Sequence, residues 1–213
     1  MTNLRLMPLL FAMATLFADS GARAAVPSAA ESTTPATIRL VGSTSGVPDT
    51  TMGRFLVVVR DLARNPKNGA SVVVDFSSCP DVAICSDQLD PAEQVNCALK
   101  TVRSFTNIQG AVTFTILGVS NGAGHAASVA NCARIIANGT PLRSPSVAVF
   151  DLDGVGGVGA GDLSVWLDDF GSGIPYGRSD FDGNGSIGSN DLSLWLTKFG
   201  AGTSFQSCGA TCP

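Results

Sequence analysis

Two twelve-residue, aspartate-rich loops lie 29 residues apart, and each runs straight into the same short apolar pattern. The first is Asp151-Leu-Asp153-Gly-Val155-Gly-Gly157-Val-Gly-Ala-Gly-Asp162, followed by Leu163-Ser-Val-Trp166-Leu167-Asp-Asp-Phe170-Gly171. The second is Asp180-Phe-Asp182-Gly-Asn184-Gly185-Ser186-Ile187-Gly-Ser-Asn-Asp191, followed by Leu192-Ser-Leu-Trp195-Leu196-Thr-Lys-Phe199-Gly200. Acid, tryptophan, phenylalanine and closing glycine recur in register. Neither unit is long enough to hold a helix alone in water, so the two must find a core by packing.

The loops carry oxygen donors at a spacing that suits calcium. This hard cation takes six to eight oxygens at ~2.3–2.6 Å, and a loop offering side chains at positions 1, 3, 5 and 12 wraps them around one point. A glycine at position 6 allows the sharp turn. In the second loop Asp180, Asp182 and Asn184 supply side-chain oxygens, Gly185 turns, Ser186 gives its carbonyl and Asp191 closes the site. In the first, Asp151, Asp153 and Asp162 are in place with the Gly157 carbonyl, but Val155 occupies the third-ligand position, so a weaker site is expected. Residues 151–191 hold eight aspartates and one arginine, Arg178. Like charges so crowded repel and raise one another's pKa unless a cation neutralises them.

Each loop feeds one apolar stripe: Leu163, Trp166, Leu167 and Phe170, then Leu192, Trp195, Leu196 and Phe199. Glycine is expected to end each helix in the left-handed conformation. The stripes should pack on each other and bury both tryptophans in a small shared core. No helix is expected ahead of either loop, so this is half of a helix–loop–helix unit.

These residues resemble type I dockerin repeats, paired Asp-x-Asp/Asn-x-Asp/Asn-Gly loops with a following helix, over about residues 151–200. Val155 departs from that pattern. The resemblance implies a non-catalytic module that binds a cohesin domain and tethers an exported protein into an assembly or onto a cell surface. The partner-facing positions it implies are Ala160, Gly161, Ser189 and Asn190.

Arg5, the apolar stretch Leu6–Phe17 and Ala22-Arg23-Ala24 read as a secretory signal peptide over residues 1–24. Six cysteines fit an oxidising compartment, and a single histidine argues against zinc. The pairing expected is Cys208–Cys212 as a clip in the tail (201–213), Cys97–Cys132 across strands and Cys79–Cys85 across a loop. Residues 25–150 carry nine basic and eight acidic side chains, so nothing resembles the basic stripe of a nucleic-acid binder. Neither membrane insertion nor self-association is expected.

After a Pro/Ser/Thr/Ala linker (residues 25–36), seven alternating segments are expected as strands: 37–41, 55–60, 71–76, 101–105, 111–116, 133–137 and 146–150. That number, punctuated by turns such as Asn65-Pro66-Lys-Asn-Gly69, suggests an immunoglobulin-like β-sandwich over 37–150. Asp61-Leu-Ala-Arg-Asn65-Pro66-Lys-Asn-Gly69-Ala70-Ser-Val72 and Thr106-Asn-Ile-Gln-Gly110-Ala-Val-Thr-Phe-Thr115 are similar to bacterial Ig-like domains of the invasin type, which implies a spacer or adhesive role. Residues 77–98 depart from that family as an insertion.

Other signals are set aside. Gly154-x-Gly156-x-x-Gly159 matches a dinucleotide fingerprint, but the βαβ unit it needs does not follow. His125 reads as a loop residue, and Asn138-Gly-Thr140 as a turn. Asp81, Asp87, Asp90 and Glu93 read as solvated surface rather than a glycosidase pair. The expectation is mostly β: an Ig-like sandwich, then a small helical, dockerin-like calcium module, together a secreted non-catalytic attachment protein. The alternatives are a calcium-stiffened spacer or adhesin, and a dockerin-bearing carbohydrate-active enzyme for polysaccharide catabolism.

Overall fold

The computed structural model describes residues 26–124, 127–174, 177–199 and 208–212. The signal-peptide reading, His125 and Gly200 lie outside the described residues. The chain is mostly β. Its strands are β1 (Thr37–Leu40), β2 (Ser43–Thr44), β3 (Val47–Pro48), β4 (Arg54–Val58), β5 (Ser71–Asp75), β6 (Val82–Ile84), β7 (Gln94–Asn96) and β8 (Thr101–Phe105). There follow β9 (Ala111–Thr115), β10 (Gly118–Ser120), β11 (Arg134–Ala137), β12 (Thr140–Arg143) and β13 (Ser146–Val149). The helices are α1 (Thr50–Gly53), α2 (Ala160–Ser172) and α3 (Ser189–Leu196).

All seven expected strands form. Alternation places Val72 and Val74 of β5 and Val102 of β8 on the buried face of one sheet, and turns Val112 and Phe114 of β9, from a separate strand pair, into the same core. An antiparallel sheet in the order β12-β11-β5-β8-β7 is formed on one side. β4 pairs antiparallel with β9, and β1 pairs parallel with β13. Val41 links these two pairs: its N–H donates to the Ile116 carbonyl and its own carbonyl accepts from Gly118. Ile38, Val57, Val74, Phe76, Phe114 and Ile135 share one core among these strands. Most strands that sequence reading passed over are two or three residues long, and β6 and β10 are buried throughout and so show no alternation; β12 does alternate, and follows β11 across the Asn138-Gly139 turn.

Residues 26–36 are not a free linker. Ser28 N–H donates to the Arg60 carbonyl, and Thr33 exchanges both backbone bonds with Val58, so this segment lies along β4.

The expected disulfides are all replaced. Cys79 pairs with Cys132, Cys85 with Cys208 and Cys97 with Cys212. The tail explains why. Ser86 N–H bonds the Ala210 carbonyl and Cys212 N–H bonds the Ile84 carbonyl, so the tail lies beside residues 84–86. This placement carries Cys208 to Cys85 and Cys212 to Cys97 rather than to each other.

The helical repeats do not form a core of their own. Trp166 and Trp195 are buried as expected, but in a cluster with Val41, Leu117, Ala148 and Phe150 of the β region and with Leu152 and Phe181. Leu167, Phe170, Leu196 and Phe199 are half exposed, so only part of each stripe is buried. Among the described residues no helix is long and apolar enough to cross a membrane.

Candidate metal centre

β13 delivers the chain directly into the first loop, and β10 receives it: Ser120 N–H donates to the Asp151 carbonyl. Glycine at position 4 lets both loops lie against the β region. A Cβ on Gly154 (φ +74°) would stand 2.4 Å from the Ser120 carbonyl, and one on Gly183 (φ +73°) would stand 2.3 Å from Thr37 Oγ1. Sequence reading gave the turn to the position-6 glycines and no structural role to these two. Their role follows from packing against segments more than thirty residues distant in the chain.

Asp151, Asp153 and Asp162 bring one carboxylate oxygen each within 4.8 Å of one another, and so do Asp180, Asp182 and Asp191. Both groups can hold a metal ion. The closing aspartates also organise the backbone. Asp162 Oδ1 accepts from the N–H groups of Leu152 and Asp153 (2.9 Å for Asp153) and Oδ2 from Gly159 (2.6 Å), at the start of α2. Asp191 repeats this with Asp182 (3.0 Å) and Gly188 (2.8 Å) at the start of α3. In the second loop Asp180 accepts from Gly183, Asn184 and Gly185, and Asn184 Oδ1 accepts from Ser186 N–H.

Burial pushes the Asp162 carboxyl up to about 6, the Asp153 and Gly159 N–H groups oppose it, and Asp151 and Asp153 add repulsion. Asp180 is raised for the same reasons, by burial first and then by Asp191 and Asp182. A bound cation relieves both causes. The first loop differs where the sequence says it should: the Val155 side chain is 73% exposed and offers no oxygen, and Gly157 is buried with φ +85° where Ser186 is exposed without a positive φ.

Helix limits differ slightly from expectation. α2 extends to Ser172 and ends at Gly173 (φ +66°), beyond Gly171, while α3 closes at Leu196. A single 3-10 turn, Gly177–Ser179, precedes the second loop, where no helix was expected. This turn carries Arg178, which is no lone surface charge. Its guanidinium pairs with buried Asp169 through Nε (2.8 Å) and Nη2 (2.7 Å) and donates from Nη1 to the Ala123 carbonyl (2.7 Å). Ser179 Oγ also donates to Asp169. One signal for this network was present: Asp169 is where the second copy has Lys198, which pairs instead with Asp49 beside α1.

The acids of the insertion are not all solvated. Asp81 and Glu93 are buried, because residues 80–93 fold down onto β9 and β10 instead of standing out from them. Burial pushes Glu93 up to about 7, with Asp90 adding to it and the Thr115 N–H opposing. The native state thus keeps a proton that the unfolded chain releases above about 4.5. Native binds more protons than unfolded between these values, so stability falls as pH rises through that window, by about 3 kcal/mol in all. Glu93→Gln should flatten this slope, which urea unfolding between pH 4.5 and 8 at saturating calcium would measure.

Comparison with protein-family models, with curated proteins and with solved structures found no match for this chain.

Proposed function

We propose that this is an exported, non-catalytic calcium-binding protein, in which an immunoglobulin-like β-sandwich carries a dockerin-like loop–helix pair that attaches to a cohesin-like partner at the bacterial surface. The observation that carries the reading is the pair of aspartate triads, each within 4.8 Å and each seated at a helix start. Their donors are oxygens alone, which favours a hard cation over zinc or copper. Loops that leave the remaining positions to carbonyl and solvent oxygens favour calcium over the stricter octahedron of magnesium. Ala160, Gly161, Ser189 and Asn190 are exposed, as a partner-facing role requires.

Calcium should report its own arrival. Asp162 and Trp166, like Asp191 and Trp195, stand one helical turn apart, so a ligand that draws the aspartate inward moves the turn carrying the tryptophan. Calorimetric titration should show one tighter and one weaker event, the weaker with Kd ~10⁻⁴–10⁻³ M, accompanied by a change in tryptophan fluorescence. No heat and no fluorescence change would overturn the calcium reading. Calcium-dependent capture of the protein by an immobilised cohesin domain tests the partner. A second reading, a calcium-stiffened spacer, is favoured by the shared core of the repeats and the β region. Binding of calcium without any such capture would support it.

A further inference from the structure

Residues 85–93 are pinned over the β9–β10 junction by two side chains. Gln88 Nε2 donates to the carbonyls of Cys85 (2.8 Å) and Leu117 (3.1 Å), and its Oε1 accepts from Leu117 N–H (2.6 Å). Glu93 Oε1 accepts from Thr115 N–H (2.8 Å). The anchored segment borders a cleft of about 450 Å³ whose lining includes Asp87, Leu89, Asp90, Pro91, Glu93 and Val95. Asp87 and Asp90 each engage one oxygen in the local turn, with Leu89 N–H and Ala92 N–H (both 2.9 Å). Glu93 is only 7% exposed, and its Oε2 meets no hydrogen-bond partner among the described residues. A buried, unsatisfied carboxyl oxygen is rare in folded proteins and, when ionised, asks for a donor.

We propose that this cleft binds an alkylammonium group, the chemistry shared by a free aliphatic diamine and by a lysine side chain of another protein. An ammonium presents three donors at the end of a methylene stem. The cleft presents Glu93 Oε2 as the acceptor that lacks a partner, Asp87 and Asp90 on the same lining add negative charge around it, and Leu89, Pro91 and Val95 offer apolar cover for the stem. A guanidinium fits less well, because it prefers both oxygens of one carboxylate and each acid here has one already engaged by a backbone N–H. A metal ion fits less well too: among the described residues the acids that converge within 4.8 Å are the two loop triads, and these three are not among them. The cleft shares no residue with either calcium loop.

The test is an amide-resolved NMR titration of the full mature chain at saturating calcium, with cadaverine in one arm and Nα-acetyl-lysine methylamide in the other. Saturable shifts at residues 86–95 and at Thr115 are expected in at least one arm, and the arm that responds tells the free diamine from the side chain. Nα-acetyl-arginine methylamide should bind several-fold more weakly than the better amine. Glu93→Gln keeps an acceptor for Thr115 N–H and should weaken amine binding on the order of tenfold, the size of one lost charge-assisted hydrogen bond. Asp90→Asn provides the same reading should that variant fail to fold. Asp168→Asn removes an exposed acid of α2 and should change nothing. Non-saturating shifts spread over the acidic surface, equal binding of the arginine derivative, or wild-type affinity in folded Glu93→Gln and Asp90→Asn would each overturn the proposal.

Discussion

Asp180→Ala is expected to abolish the tighter calcium-binding event, lowering the affinity of the second loop by on the order of 100-fold or more. Even outer-shell partners of metal ligands typically contribute 10–100-fold, and Asp180 is a direct donor on this reading. Its two oxygens also accept from Gly183, Asn184 and Gly185, so the variant loses the loop's shape together with a charge. Asp191→Ala should match that loss and add a fold cost of about 1–2 kcal/mol, because the same carboxylate caps α3 through Gly188 N–H. Asp151→Ala should change the calorimetric titration much less. The first loop already lacks a fifth-position donor at Val155, and its weaker event contributes little to the summed affinity at low calcium. Equal losses from all three variants would overturn the ranking of the two loops.

The loops were legible in the sequence because their chemistry is local. Twelve consecutive residues fix which oxygens converge, and both aspartate triads meet where the spacing put them. The seven main strands were legible for a related reason, since period-two alternation in segments such as Val72-Val-Val74 reports one buried face. What stayed hidden depended on contacts between distant residues. The disulfides were misassigned because loop length favoured near pairs, whereas the tail lies beside residues 84–86 and sends Cys208 and Cys212 to partners more than a hundred residues away. Asp81 and Glu93 looked solvated because a run of polar residues between cysteines carries no sign of folding inward. The helical stripes misled in the same way: periodicity named an apolar face on each helix without saying that half of it would remain exposed and the rest would cover Phe150 and Leu117.

Trp195→Ala should test that last point most severely. The indole is fully buried, donates from Nε1 to the Phe150 carbonyl at 3.1 Å, and packs in the cluster that joins α3 to Val41, Leu117 and Ala148. Beside it Phe150 and Phe181 stack at 4.9 Å between ring centroids, so the residue preceding the first loop and a residue within the second meet in the same core. Removing a buried tryptophan costs about 3–5 kcal/mol, a large share of the 5–15 kcal/mol that holds a typical native protein together. In scanning calorimetry at saturating calcium, that loss corresponds to a midpoint lowered by roughly 6–20 °C. The shape of the transition carries as much as its position. A repeat pair with a core of its own would unfold in a separate step, and Trp195→Ala would move that step while leaving the β region's transition where it was. A shared core predicts one transition in the wild type and one, displaced, in the variant, because the indole is as much a part of the β region's end as of α3. A second, unmoved transition in the variant would mean that the contact through Phe150 is too weak to couple them, and that the repeats stand as a module free to act apart from the strands that carry them.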